Sequence, residues 1–135
     1  MKLCDETITV FNSRLNTTTD NDDYIGTVIT GVSWFCEIVS TVDEGLKAAN
    51  KFTIRIPTNA NFGGKVYASP LDYAAAEDVS GLFTLKNGDI IVRGAVTATG
   101  LRPAALHKNY EAFTILGVTD DRRARHEPHW KVVGA

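Results

Sequence analysis

The run from Tyr24 to Val39 is apolar on both of its faces, and it constrains the fold more than any other stretch of the chain. Val28, Val32, Trp34, Cys36 and Ile38 share one parity, while Ile29, Phe35 and Val39 share the other. Side chains alternate across a strand, so a segment that is apolar on both sides has to be covered on both sides. It reads as a central strand, or one that passes between two layers. Gly31 is the natural place for a bulge that bends it.

The remaining segments repeat the strand signal. Glu6–Phe11 sets Ile8 and Val10 against Thr7 and Thr9. Lys51–Ile56 directs Phe52, Ile54 and Ile56 inward and Thr53 and Arg55 outward, and Pro57 ends it. Asn87-Gly88 between alternating apolar residues predicts a two-residue hairpin. In it Leu85 faces Ile90, Phe83 faces Val92 and Lys86 meets Asp89. A last hairpin joins the strand AFTILGV (112–118) to PHWKVVGA (128–135) through a charged loop, Thr119–Glu127. The polar stretches 12–23 and 40–50 read as loops, the second with one helical turn. Ser69-Pro70-Leu71-Asp72 carries a cap and a proline suited to the first turn, which predicts a helix over Pro70–Glu77. Pro103 opens a helical turn within Arg102–Asn109. About seven strands separated by turns give an all-β domain with short helices, a small antiparallel barrel or sandwich spanning residues 1–135. Its core is expected at Val32, Trp34, Phe52, Ile54, Phe83, Leu85, Ile90, Val92, Phe113, Ile115 and Val132.

At 135 residues the chain is long enough to close one core without disulfides or metal. Formal net charge is only -2, so the whole molecule is not an electrostatic nucleic-acid binder. The charge is uneven, however. Residues 1–50 carry eight acids against three bases, and residues 101–135 carry six bases against four acids. Such an imbalance suits self-association in which one copy's acidic surface meets the next copy's basic one.

No catalytic pattern emerges. His126, Glu127 and His129 have a spacing that suits metal ligands on a helix, but Pro128 interrupts it, so neither metal nor cofactor is expected. The pairs Asp22-Asp23 and Asp120-Asp121 are adjacent in sequence and point different ways. Arg122, Arg123 and Arg125 near Trp130 have the residue types for nucleic-acid contact, yet the neighbouring aspartates weaken the field and make direct binding unlikely. Protein contact is the better reading of the loop. Its candidate residues are Asp120, Asp121, Arg122, Arg123, Arg125, His126 and Trp130, with Asp20, Asp22 and Asp23 as the acidic partners on a neighbouring copy.

The segment LKNGDIIVRG, followed later by AFTILGVTDDRRARHEPHWKVVGA, resembles small prophage-encoded virion proteins. More distantly, the strand Phe113-Thr114-Ile115-Leu116-Gly117-Val118-Thr119-Asp120 and the basic hairpin after it resemble the head-closure and head–tail joining proteins of tailed phages. The resemblance implies a structural, non-enzymatic subunit of the particle neck. It would assemble as a ring with itself and dock on portal or tail components. It would reside in the host bacterial cytoplasm during assembly and then in the virion, with no membrane association. No catalytic residue is carried over. The alternative is a small β-barrel module binding an oligonucleotide or a ligand.

Cys4 and Cys36 are the only cysteines, and the N-terminus has no apolar run of the kind that directs export. Both thiols are therefore expected free in a reducing compartment. Alkylation under denaturing, non-reducing conditions should label both, as read by intact mass. A protein that takes up no label contains a disulfide.

Overall fold

The computed structural model describes residues 6–16, 21–41, 47–97, 103–123, 125 and 128–135. Its strands are β1 (Glu6–Asn16), β2 (Asn21–Thr41), β3 (Lys47–Pro57), β4 (Val66–Tyr67), β5 (Leu82–Phe83), β6 (Ile90–Arg93), β7 (Ala112–Asp121) and β8 (His129–Gly134). Two short helices, α1 (Pro70–Ala75) and α2 (Pro103–Asn109), lie between strands. Six strands close into an antiparallel barrel in the order β1-β2-β3-β8-β7-β6, and β4 and β5 form a separate parallel pair. The expected β-rich fold with short helices is what forms.

Two bulges turn the ring's corners. Glu6 stands opposite Val32 and Thr7 opposite Thr30, which leaves Gly31 as the extra residue, at φ 94°. Up to this point β2 pairs with β1, and beyond it with β3. The bulge also switches the inward face of β2. Thr27 and Ile29 are buried before it, and Val32 is buried after it. Counting parity straight through Gly31 groups Val28 with Val32, but Ile29 is the residue that enters the core. In β7 the extra residue is Leu116, between Ile115 opposite Gly134 and Gly117 opposite Val133. There β7 leaves β6 and continues on β8.

The interior is filled by side chains, including Ile8, Val10, Ile29, Val32, Ile54, Ile56, Ile91, Ile115 and Val132. Aromatic rings close both ends. Phe52 and Phe113 stack at 4.9 Å, and each meets Trp34 edge-on at 5.5 Å. At the other end Trp130 packs with Tyr67, Phe62 and Phe83. A smaller cluster lies outside the β1–β6 wall, where Phe11, Ile90 and Val92 meet Val96 and Leu106 of α2. The expected core residues are buried except Trp34, which is partly covered. Ile90 and Val92 belong to the outer cluster, and Ile91 is the β6 residue that points inside.

Several local expectations need correction. The Asn87-Gly88 turn forms, with Gly88 at φ 92°, but no hairpin follows. Both edges of Ile90–Val92 are taken, by β1 and by β7, so β5 pairs with β4 instead. The polar residues Asn12–Asn16 and Asn21–Asp23 continue strands rather than a loop, paired from Asn12 opposite Ile25 to Asn16 opposite Asn21. Likewise Ser40 and Thr41 pair with Ala48 and Lys47 as ladder, while residues 42–46, where the helical turn is expected, lie outside the described residues. In the last hairpin β7 runs on to Asp121, which shortens the loop. The first helix starts as expected, with Ser69 Oγ accepting from the Asp72 N–H at 3.2 Å, but it ends at Ala75. Cys4 lies outside the described residues, and for Cys36 the description stops at its place opposite Phe52.

Gly134 makes the Phe52–Phe113 stack possible. A Cβ there would stand 2.2 Å from Phe113 Cδ2 and 2.2 Å from the Thr114 carbonyl oxygen, and the second of these is backbone that cannot swing away. Gly134→Ala should therefore cost about 1–3 kcal/mol in urea unfolding, the usual range for overpacking. Gly81→Ala, where a Cβ meets nothing within 4 Å, should change stability by less than about 0.5 kcal/mol. Equal effects at the two positions would contradict this account of the closure.

Candidate functional site

Antiparallel pairing around the ring makes β1, β3 and β7 run one way and β2, β6 and β8 the other. The β1–β2 and β7–β8 tips therefore share one end of the barrel, here the upper end. The β2–β3 tip points from the lower end. Asp22 and Asp23 thus lie at the same end of the barrel as Asp120, Asp121 and Arg122.

The charged tip is more self-contained than its sequence suggests. The Arg122 guanidinium grips Asp120 with both edges of its fork. Nε donates to Oδ1 at 2.9 Å and to Oδ2 at 3.0 Å, and Nη2 donates to Oδ2 at 2.6 Å. The same guanidinium lies 5.1 Å from the Tyr67 ring centre and 5.3 Å from that of Trp130. Asp120 has the inward parity of Trp130, its register partner, so this pair caps the upper aromatic plug. The Arg122 hydrogen bond holds the Asp120 carboxyl below its ordinary range. Trp130 is 4% exposed, and its ring is part of the core rather than of the loop surface. Asp121 Oδ2 lies 3.4 Å from His129 Nε2. Arg123 and Arg125 are exposed, and Arg123 lines a shallow hollow with Asp120 and Arg122. Asp23 is exposed on β2 with Arg14 as its register partner, and Asp22 stands opposite Leu15. Asp20, His126 and Glu127 lie outside the described residues.

The lower end repeats the device. Arg93 donates to Glu6 Oε1 at 2.8 Å and to Glu111 Oε2 at 3.4 Å, and its guanidinium stands 5.5 Å from the Trp34 ring centre. The hydrogen bond from Arg93 lowers the Glu6 pKa.

A buried polar cluster was not visible as a unit in the sequence. Asp89 is fully buried and accepts from Asn12 Nδ2 at 2.9 Å, the Ser13 N–H at 3.1 Å and Ser13 Oγ at 3.0 Å. Lys86 Nζ forms an ion pair with Asp89 and donates to Ser13 Oγ at 2.7 Å. Asn12 also donates to the Thr84 carbonyl at 2.7 Å and accepts from the Thr84 N–H at 3.2 Å. Only the Lys86–Asp89 part was foreseeable, from the turn between them. A serine beside a lysine invites a nucleophile reading. Here the ammonium donates to both the hydroxyl and the carboxylate, and the hydroxyl proton points to Asp89. The arrangement has no acceptor free to activate Ser13, and its effect is to pin β1 to the 84–89 turn. Among the described residues no cluster of His, Cys, Asp and Glu has a metal-binding arrangement.

Tyr73 packs near this cluster, and its buried hydroxyl has no hydrogen-bond partner among the described residues. Burial first, and then the Asp89 charge, push its pKa from the ordinary 10.0 up to about 12. Between those values the unfolded chain releases the proton and the folded chain keeps it, so stability falls as pH rises through this window. Tyr73→Phe should reduce that loss. At pH 7 it should leave stability within about 1 kcal/mol or raise it, because the lost hydroxyl had no partner. Urea unfolding of both proteins at pH 7 and pH 11 checks this. A larger loss at pH 7 would mean that the hydroxyl is bonded.

No curated protein and no solved structure matches this chain. Residues 3–135 match the model of a family of unknown function, DUF6751. Covering nearly the whole sequence, that match places the chain in the DUF6751 family.

Proposed function

We propose that this protein is a structural subunit of a phage or prophage particle, a head–tail connector that acts by ring assembly and protein–protein docking. The observation that carries the reading is the β2–β3 ribbon. Glu37–Thr41 and Lys47–Lys51 pair with each other beyond the last β8 partner of β3, at Phe52, and have no other strand neighbour among the described residues. A two-stranded ribbon of this kind is marginal in water, so a projecting one is suited to completion by a partner. The β1–β2 ribbon projects from the opposite end, braced along β1 by the Asp89 cluster and by the Arg14 side chain on the Ala76 carbonyl. Extensions at both ends suit a subunit that meets neighbours above and below.

The packed interior argues against a ligand-binding barrel, and the polar groups at hand serve to join elements rather than to activate a nucleophile. Neither a catalytic role nor a cofactor is part of the proposal. Its partners are further copies of the chain and portal or tail components, and its place is the host cytoplasm and then the particle. The test is mass spectrometry of particles purified from an induced host that carries the gene. Its peptides should be present, and deleting the gene should leave heads and tails unjoined. Complete infectious particles without it would overturn the proposal.

A further inference from the structure

Between Asn21 and Thr30, β2 has a strand neighbour on one side only, β1, among the described residues. In an antiparallel pair, successive residues turn their N–H and C=O alternately toward the partner strand and away from it. Three contacts fix which residues turn away here. Thr30 bonds to Asn61 instead of β1. Thr7 and Ser13 are the β1 residues opposite Thr30 and Tyr24. The Thr7 carbonyl accepts from the Gly94 N–H, and the Ser13 N–H donates to Asp89. Asp22, Tyr24, Gly26 and Val28 therefore present their backbone groups on the side away from β1, the kind of edge that takes up a further strand.

The segment 61–65 runs along that edge but pairs with it only at Thr30, where Asn61 exchanges two backbone bonds of 2.9 Å. A Cβ on Gly63 would stand 3.9 Å from the Val28 carbonyl oxygen. The chain then turns. The Lys65 N–H donates to the Phe62 carbonyl at 3.3 Å across Gly63 and Gly64, whose φ angles are 65° and 85°. What reaches Gly26 is the Lys65 side chain. Its Nζ donates to the Gly26 carbonyl at 3.1 Å and to Thr27 Oγ1 at 2.9 Å. Burial lowers the Lys65 pKa, and the two oxygens replace part of the water that the ammonium gives up.

A lysine on a sheet edge is a common barrier to strand addition. We infer that Lys65 guards the β2 edge, and that without it two copies pair antiparallel through β2, with Tyr24 opposite Tyr24 and Asp22 opposite Gly26. A second copy is the occupant because the open stretch is self-complementary. Asp22, Tyr24 and Gly26 are spaced by two about Tyr24, so a twofold axis there sets each against a residue that also faces outward. Asn61 and Gly63 already cover Thr30 and Val28, and the Lys65 ammonium stands on the last acceptor left, the Gly26 carbonyl. The guard is a property of the single chain and does not rest on the particle reading.

The test compares wild type, Lys65→Met and Lys65→Arg by sedimentation velocity and by hydrogen exchange of backbone amides. Methionine keeps most of the side chain's length and removes its charge, while arginine keeps a cationic donor. Lys65→Met should form a concentration-dependent dimer that the wild type lacks, with the Tyr24 and Gly26 amides exchanging about tenfold more slowly. Lys65→Arg should behave as wild type. Tyr24→Pro added to Lys65→Met removes the outward N–H at the centre of the pairing and should reverse both effects. A Lys65→Met protein that sediments and exchanges as wild type overturns the inference. So does association that persists with Tyr24→Pro, because it uses another surface. In the wild type itself the Tyr24 amide should exchange fast. A protected Tyr24 amide there means that the edge already has a partner, and it overturns the inference whether or not the variants fold. Each of these failures leaves the particle reading to its own test by mass spectrometry.

Discussion

Closing six strands into a ring requires that the sheet turn two corners, and every other feature of this protein depends on how it does so. A bulge adds one unpaired residue and bends its strand. Gly31 supplies the bend in β2 at a positive φ that side-chain-bearing residues adopt poorly, and Leu116 supplies it in β7. Because each bulged strand changes partner at its corner, one 21-residue strand serves both halves of the barrel. The same bends give β2 its long reach and leave its two ends available to form ribbons.

Once the ring is closed, its ends have to be sealed, and both are sealed by the same chemistry. A cluster of aromatic rings fills each mouth, and an arginine held by carboxylate lies against it: Arg122 with Asp120 above, Arg93 with Glu6 and Glu111 below. Guanidinium groups suit this position because they stack on rings and bond carboxylates in one plane. These pairs are exposed, so their electrostatic contribution to stability is small. Their role is to hold the planar group over the rings. The charged sequence around Asp120 to Arg125 thus divides between a cap and the exposed residues Arg123 and Arg125.

The buried Asp89 cluster shows how a polar stretch becomes a strand. Asn12 and Ser13 lack the apolar pattern that marks strands, yet β1 continues through them because Asp89 and Thr84 satisfy their polar groups. Unpaired, those groups would cost too much to bury. This bonding braces the base of the β1–β2 ribbon.

Alternation in Glu6–Phe11, Lys51–Ile56 and Phe113–Val118, together with the two-sided apolar run Tyr24–Val39, made the fold class legible, because burial on one or both faces is a local property of a strand. The bend at Gly31 and the start of α1 at Ser69 were legible for the same reason: glycine and a capping serine act on their own backbone. What only the tertiary structure decided was partnership. Asn87-Gly88 made its turn, but β5 and β6 separated because β6 had two better neighbours. Trp130 read as part of a charged tip, and register turned it into the barrel. Arg55 and Lys131 are 76 positions apart, so nothing local announces that they face each other across two strands. Pairing between distant strands depends on competition among all edges at once, and a single segment carries no record of which edge will win.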